Sequence, residues 1–167
     1  MEDAGALLEK SGRNKRRVWI VGVGFVAGIL LDASIYISSL RNGGSTILRL
    51  RSLGSAQPLW LSAVVLEELY AGTGRKGSKE VRRFQRDFTA VRRVLVPSLS
   101  DWARTGEILS FLAEKYGYES IGRGRLTNDT LIATSAARNG ITLVTLNERD
   151  FGKIEEFCPF QWQLWNP

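Results

Sequence analysis

Histidine is absent from this 167-residue sequence, and cysteine occurs once, as Cys158. Without an imidazole there is no histidine-activated nucleophile, no paired-histidine acid–base cleavage and no histidine-ligated zinc. A single cysteine excludes an intramolecular disulfide and cysteine-rich metal sites, and it gives no sign of an oxidising compartment, so we expect a cytoplasmic protein. Any catalysis must therefore depend on carboxylates, hydroxyls, amides or cations.

Charged residues are almost missing between Val18 and Leu40, where Asp32 is the single exception. An apolar run after basic residues is typical of a membrane anchor or a signal peptide. A carboxylate in the inner half of such a run costs roughly 2.5–3.5 kcal/mol on insertion, and no clear small-residue cleavage site precedes a polar start. The run therefore favours a buried strand followed by a helix, and the membrane anchor is the alternative.

The net charge of +6 comes from one segment of the chain. Residues 75–93 contain eight basic and two acidic side chains, and the rest of the chain has 15 of each. A local basic segment favours a polyanionic partner, although a solvated helix face has the same composition. The basic residues that would contact such a partner are Lys79, Arg82, Arg83 and Arg86, with Arg123 and Arg125 in a basic loop.

Length and a hydrophobic content of 44% fit one domain with a sizeable core. Residues 1–17 are polar and end in a basic run, so we expect an N-terminal extension followed by a single domain over residues 18–167. The predicted strands are Val26–Leu31, Leu59–Ser62, Val94–Val96, Ile141–Thr145 and Phe160–Trp165. The predicted helices are Ala33–Leu40, Ile47–Leu53, Ala63–Ala71, Lys79–Leu95, Ser98–Tyr116, Thr127–Asn139 and Asn147–Glu155. This alternation predicts an α/β fold with a mostly parallel sheet.

One helix carries both the basic residues and an apolar stripe. Within Lys79–Leu95 the stripe is formed by Phe84, Phe88, Val91 and Leu95. Their spacing predicts the buried side of the helix, with the arginines largely off it.

Acidic residues follow several of the predicted strands. Asp32 comes after the first strand and Asp150 after the fourth, while Asp129 opens the Thr127 helix. Because sites gather beyond the carboxyl ends of parallel strands, we expect these acids to meet. Glu67 and Glu68 follow the second strand, and helical periodicity does not choose between them because the apolar stripe runs between the two.

Each acid also has a structural explanation. Asp32 in an apolar run needs a cation, a hydrogen-bond network or a raised pKa. Asp129 suits a helix N-terminus, and Asn147 with Asp150 suits an ordinary cap. Four converging carboxylates, however, repel one another unless Mg²⁺ or Mn²⁺ holds them. Two such ions ~3.5–4 Å apart can activate water and stabilise the leaving oxygen of a phosphodiester without histidine.

Four segments resemble PIN-domain ribonucleases, and among them the VapC-like toxins of type II toxin–antitoxin systems. The segments are Gly28–Ser34, Leu61–Gly72, Leu126–Ala136 and Leu143–Phe151. The similarity spans roughly Phe25 to Trp165. It implies a PIN-like three-layer fold around a central, mostly parallel sheet of about five strands.

The resemblance also implies a Mg²⁺-dependent (or Mn²⁺-dependent) endoribonuclease. Its catalytic and metal-binding residues would be Asp32, Glu68, Asp129 and Asp150, and its supporting residues Ser34, Thr145 and Asn147. The family pattern thus selects Glu68 over Glu67. Ala33 stands where the family often has Thr or Ser, which leaves the hydroxyl beside Asp32 in doubt. An RNA substrate, a small cognate antitoxin and a homodimer are the implied partners. The basic residues named above are then the candidate RNA-binding residues.

Two other functions remain open on the same residues. A non-catalytic PIN scaffold would bind nucleic acid with strong salt dependence and form no products. A structure-specific DNA nuclease would use the same acidic chemistry on a different substrate. Metal-dependent turnover separates the first alternative from an enzyme, and a comparison of RNA with flap DNA separates the second.

Overall fold

A five-stranded parallel sheet forms the centre of the molecule. The computed structural model describes residues 28–41, 57–119 and 126–165. The strands are β1 (Ile29–Leu31), β2 (Leu59–Ser62), β3 (Val94–Leu95), β4 (Thr142–Thr145) and β5 (Trp162–Leu164). They lie in the order β3-β2-β1-β4-β5, and every neighbouring pair is parallel. The predicted α/β fold with a sheet of about five strands is confirmed.

Helices connect the strands within the described residues. They are α1 (Ala33–Arg41), α2 (Ala63–Ala90), α3 (Leu99–Tyr116), α4 (Leu126–Asn139) and α5 (Glu148–Glu155). The chain moves from β1 to β3 in one direction across the sheet and then returns to β4 and β5 on the other side of β1. Because parallel crossovers are right-handed, this reversal places helices on both faces of the sheet and gives three layers.

Several predictions fall outside the described residues: the extension over 1–17 and its boundary, the Ile47–Leu53 helix, Arg123 and Arg125. Within the described ranges, no helix combines the length and the apolar character needed to cross a membrane.

The α2 element differs most from its predicted form. Two separate helices, Ala63–Ala71 and Lys79–Leu95, are predicted, whereas helical residues run from Ala63 to Ala90 with one exception. The exception is Gly74, whose φ of 59° and ψ of −166° are essentially restricted to glycine. Gly74 therefore divides α2 into two arms, residues 63–73 and residues 75–90, and the predicted end at Gly72 is wrong.

The second arm of α2 also ends earlier than predicted. Arg92 has a φ of 54°, and the chain turns there into β3. Leu95 is consequently buried in a strand, and Val91 is 57% exposed in the turn. The apolar side chains that the arm packs against the core are Val81, Phe84 and Phe88. The predicted apolar stripe is too long, because Val91 and Leu95 lie beyond the helix but keep helical spacing in the sequence.

Gly28 lies next to β1 in a place that has no room for a side chain. Its φ is 83°, and a Cβ atom would lie 2.6 Å from the carbonyl oxygen of Pro58 and 2.7 Å from the Trp60 ring. We predict that Gly28→Ala lowers the free energy of unfolding by about 1–3 kcal/mol, as measured by urea denaturation. Gly72→Ala is the control, since a Cβ there meets nothing within 4 Å. Equal losses in the two variants would contradict this explanation.

A bidentate ion pair joins α3 to α4. The Asp101 carboxylate, 3% exposed, accepts hydrogen bonds from Nε and Nη2 of Arg138, each at 2.9 Å. It also accepts the backbone N–H of Ser98 at 2.7 Å, which completes a capping box at the start of α3. Burial alone would raise the pKa of Asp101, but the hydrogen bonds from Arg138 and Ser98 outweigh it and hold the pKa below its usual 3.8.

This pair should stabilise the protein in a pH-dependent way. Because the folded pKa of Asp101 is depressed, its contribution is complete above pH 3.8 and is lost as the pH falls through the folded value. Asp101→Asn should lower the free energy of unfolding at pH 7 by about 1.5–3 kcal/mol, and less at pH 3. Glu107→Gln is the control, because its ion pair with Arg104 is exposed on both sides, with side-chain exposures of 60% and 47%. A difference that stays constant from pH 7 to pH 3 would contradict this assignment.

Candidate active site

The candidate site lies where the strand order reverses, between β1 and β4. Ligands in open parallel sheets bind beyond the carboxyl ends of the strands at such a reversal. Asp32 directly follows β1, and its backbone N–H donates to the carbonyl oxygen of Val144 in β4 at 2.9 Å. Thr145 ends β4 next to it. The sheet therefore brings the two strand ends together at the position that favours a site.

The Asp32 side chain is buried, with 4% exposure, and three donors hold its carboxylate. The N–H of Ala33 donates to Oδ1 at 2.7 Å, and the hydroxyls of Ser34 and Thr145 donate to Oδ2 at 2.7 and 2.9 Å. A buried carboxylate needs such partners. The compensation expected for this acid is thus a hydrogen-bond network, and Ser34 provides the hydroxyl that Ala33 lacks.

The same two hydroxyls also fix the loop between β4 and α5. Thr145 Oγ1 accepts the backbone N–H of Asn147 at 2.9 Å, and Ser34 Oγ accepts the N–H of Leu146 at 3.3 Å. Each hydroxyl therefore donates to Asp32 and accepts from the loop. The position of Asn147 is consequently tied to that of the Asp32 carboxylate.

Asn147 connects carboxylates from two helices. Its Nδ2 donates to Oδ2 of Asp129 at 3.1 Å and to Oδ2 of Asp150 at 3.0 Å. Its Oδ1 accepts the backbone N–H of Asp150 at 3.4 Å, so that Asn147 is also the N-cap of α5. The predicted cap is therefore present, and the same asparagine contacts two of the predicted site acids. Asp129, in the first turn of α4, is 4% exposed, and Asp150 is half-buried.

Glu68 lies in the first arm of α2 and reaches the site through α4. Nδ2 of Asn128 donates to Oε1 of Glu68 at 3.0 Å and to Oε2 of Glu67 at 3.4 Å. Glu68 is half-buried, whereas Glu67 is exposed. Because Asn128 directly precedes Asp129, this contact brings the α2 carboxylates to the end of α4 that carries Asp129. Sequence reasoning missed Asn128, whose only signal was its place beside a candidate acid.

Hydrogen bonds therefore join three of the four predicted acids in one network, and the fourth acid is bonded to a residue beside that network. Asp32, Asp129 and Asp150 are joined through Thr145 and Asn147, while Glu68 is joined through Asn128. In the part of the chain that the structure describes, no group of three or more acidic or cysteine side chains is arranged so that it could hold a metal ion. The available donors are carboxylate, hydroxyl and amide oxygens, and this set fits Mg²⁺ or Mn²⁺.

The four described candidate RNA-binding residues all lie on the second arm of α2 and are exposed. Arg82 donates to the Ser78 hydroxyl at 3.1 Å, and the side chains of Arg83 and Arg86 are 70% and 76% exposed beside Asp87. Exposed ion pairs at 3.8 Å contribute little to stability. The arm thus presents a cationic face to solvent.

The family model of the PIN domain matches residues 29–156. The chain belongs to the PIN domain family. Proteins of this family are generally metal-dependent nucleases. The matched range contains all four predicted acids and all three predicted supporting residues. No curated protein matches the sequence.

Several solved structures have the same fold as this chain. VapBC from Salmonella typhimurium bound to DNA is 24% identical with a TM-score of 0.61, and the match covers 83% of this chain and 98% of that chain. VapBC-1 from nontypeable Haemophilus influenzae is 27% identical with a TM-score of 0.58, over 82% of this chain and 97% of that chain. VapBC2 from Rickettsia felis with a promoter DNA fragment is 22% identical with a TM-score of 0.59, over 83% and 98%. The three matches show that this chain has the fold of these VapBC chains.

Proposed function

We propose that this PIN protein is a Mg²⁺-dependent (or Mn²⁺-dependent) endoribonuclease of the cytoplasm that acts as the toxin of a toxin–antitoxin pair. One observation carries the proposal. Buried Asp32 is linked through Thr145 and Asn147 to Asp129 and Asp150 at the strand reversal of a PIN fold. Three acids that are far apart in the sequence are thereby linked at one edge of the sheet, where sites form in folds of this kind.

Asp32, Glu68, Asp129 and Asp150 are the residues that would hold the divalent cation. When bound, the cation supplies water activation and charge neutralisation at a phosphodiester. Ser34 and Thr145 fix the Asp32 carboxylate by hydrogen bonds, and Asn147 fixes Asp129 relative to Asp150. These contacts keep the carboxylates from rotating, which matters because preorganised groups need no rearrangement during the reaction.

The basic residues are proposed to bind the phosphates of the substrate. Lys79, Arg82, Arg83 and Arg86 supply this charge on the second arm of α2, and Arg123 and Arg125 are assigned to the same role. Because phosphate contacts release counterions, affinity for RNA should fall steeply as salt rises. Recognition of particular bases would require other contacts, because proteins recognise single-stranded RNA through bases that are turned out of the strand and stacked on side chains.

The test compares RNA with flap DNA in Mg²⁺ and in EDTA. Mg²⁺-dependent RNA products support the proposal. Salt-sensitive RNA binding without products would favour the non-catalytic scaffold, and cleavage of flap DNA alone would favour the DNA nuclease.

The VapBC structures support a cognate partner for this chain. We propose a small antitoxin whose C-terminal segment presents Arg or Lys to the acidic cluster and apolar groups to the nearby helices. Copurification from the native operon tests it, and a chain that is always recovered alone would count against it.

A homodimer is the second proposed assembly. Leu99 and Trp102, three residues apart on the first turn of α3, are 86% and 53% exposed. Large apolar groups exposed side by side mark interaction surfaces. We predict that light scattering gives a dimeric mass for the parent and a monomeric mass for Trp102→Glu. Tyr118→Glu, at an 80% exposed position outside this turn, should remain dimeric, and a dimeric Trp102→Glu would place the interface elsewhere.

A further inference from the structure

The two arms of α2 are joined by a hydrogen bond between side chains. The Tyr70 hydroxyl donates to Oε1 of Gln85 at 2.7 Å, across fifteen positions of sequence. A straight helix would separate such residues by about 22 Å along its axis. The bond therefore requires α2 to fold back on itself at Gly74, so that the arms lie side by side.

The turn between the arms depends on two glycines. Gly74 supplies the left-handed backbone, with a φ of 59°. At Gly77 a Cβ would lie 2.5 Å from the Cβ of Thr73, which shows how closely the turn is packed. Thr73 in turn donates to the carbonyl oxygen of Leu69 at 2.7 Å. The turn is thus built for close approach of its two sides.

Further along, the second arm is held by the core. Val81 is fully buried. The Phe84 ring packs against the ring of Tyr36 in α1 in a tilted arrangement, with ring centroids 5.7 Å apart. Tyr70 is 38% exposed and Gln85 is exposed. A single hydrogen bond adds only modestly to stability, so the buried side chains, rather than this bond, explain why the arm folds. The bond instead limits how far the exposed, basic face of the second arm can move relative to the first arm.

This bond links the arm that carries Glu68 to the arm that carries the candidate RNA-binding residues. Tyr70 lies two residues after Glu68 in the first arm, and Gln85 lies one helical turn after Arg82 in the second. We propose that Tyr70 and Gln85 are positioning residues that hold the cationic arm at a fixed distance from the α2 carboxylates, so that bound phosphates align with the acidic site. This inference rests on the proposed nuclease function. Because both groups of the bond are neutral, they set the distance without cancelling either charge.

Kinetics on RNA test the proposal with Tyr70→Phe, Gln85→Met and the double variant. Loss of one hydrogen bond should raise KM for RNA about threefold to tenfold and leave kcat within about twofold, since the acids themselves do not move. The double variant should be no worse than either single one, because all three lack the same bond. Tyr118→Phe, which removes a hydroxyl at an 80% exposed position, should match the parent. Unchanged KM, an equal loss in kcat or additive effects would overturn the proposal.

Hydrogen exchange provides a readout that does not need activity. Amides of residues 75–90 should exchange about threefold to tenfold faster in Tyr70→Phe than in the parent, with unchanged exchange in α4. Gln85→Glu keeps an acceptor for the Tyr70 hydroxyl and should retain slow exchange. If the parent forms no RNA products, the proposed nuclease function is wrong. Hydrogen exchange still tests whether the bond between Tyr70 and Gln85 holds the second arm in place. Unchanged exchange in Tyr70→Phe would overturn the positioning role for any substrate.

Discussion

Asp129→Asn and Asp32→Asn should each reduce Mg²⁺-dependent RNA cleavage by at least about 100-fold, the upper end of the loss for a residue that merely supports a metal ligand. Asparagine keeps the size and one oxygen of aspartate but removes the charge that would hold a cation. Single-turnover cleavage in Mg²⁺ measures the effect. Parent-like rates in either variant would show that the acidic cluster does not carry the chemistry.

These substitutions should leave the fold intact, which makes the loss interpretable. Beside position 32, the hydroxyls of Ser34 and Thr145 can rotate to accept from an amide as well as donate to an oxygen. At position 129, the remaining oxygen can still accept from Asn147. We therefore expect free energies of unfolding close to that of the parent.

Asp101→Asn is the matched control for both variants. Asp101 is 3% exposed, as buried as Asp32 and Asp129 at 4% each. It pairs with Arg138 and takes no part in the network at the strand reversal. Asp101→Asn should therefore lose stability and keep its cleavage rate while folded, the reverse of the two site variants. If all three variants lost activity at a temperature where all are folded, the loss in Asp32→Asn and Asp129→Asn could not be assigned to the site.

The placement of Asp32 and Asp150 at the same edge of the sheet could be predicted from the sequence because it follows from topology. Asp32 and Asp150 come after strands, and parallel strands end at one edge, so no side-chain detail is needed. The choice between Glu67 and Glu68 is different, because the helical wheel displaces both equally from the apolar stripe. The Asn128 contact, shorter to Glu68 than to Glu67 at 3.0 against 3.4 Å, agrees with the family pattern.

The path of α2 could not be predicted from periodicity. Gly72 and Gly74 look equally able to end a helix, and only Gly74 adopts the conformation that reverses the chain. Val91 and Leu95 kept helical spacing although Arg92, with its φ of 54°, separates the helix from β3. Periodicity reports which residues are apolar, and the backbone conformation of single residues decides where an element stops. The basic segment, residues 75–93, consequently spans the second arm of α2 and the turn before β3.

Asn147→Ala should lower the rate of RNA cleavage about 10- to 100-fold and also destabilise the protein by about 0.5–2 kcal/mol. Both losses come from one side chain, because its Nδ2 bridges Asp129 and Asp150 while its Oδ1 caps α5. Cleavage kinetics and urea unfolding on the same preparation measure the two effects.

Asn147→Ser separates the bridge from the cap. Serine is among the best N-cap residues, so the unfolding free energy should stay within a few tenths of a kcal/mol of the parent. Its short side chain carries one donor and cannot reach carboxylates on two helices, so cleavage should fall as far as in Asn147→Ala. If Asn147→Ser cleaved RNA at the parent rate, the asparagine would be a helix cap alone. A stable but inactive variant would instead mean that the orientation of Asp129 relative to Asp150, rather than the stability of α5, limits the reaction.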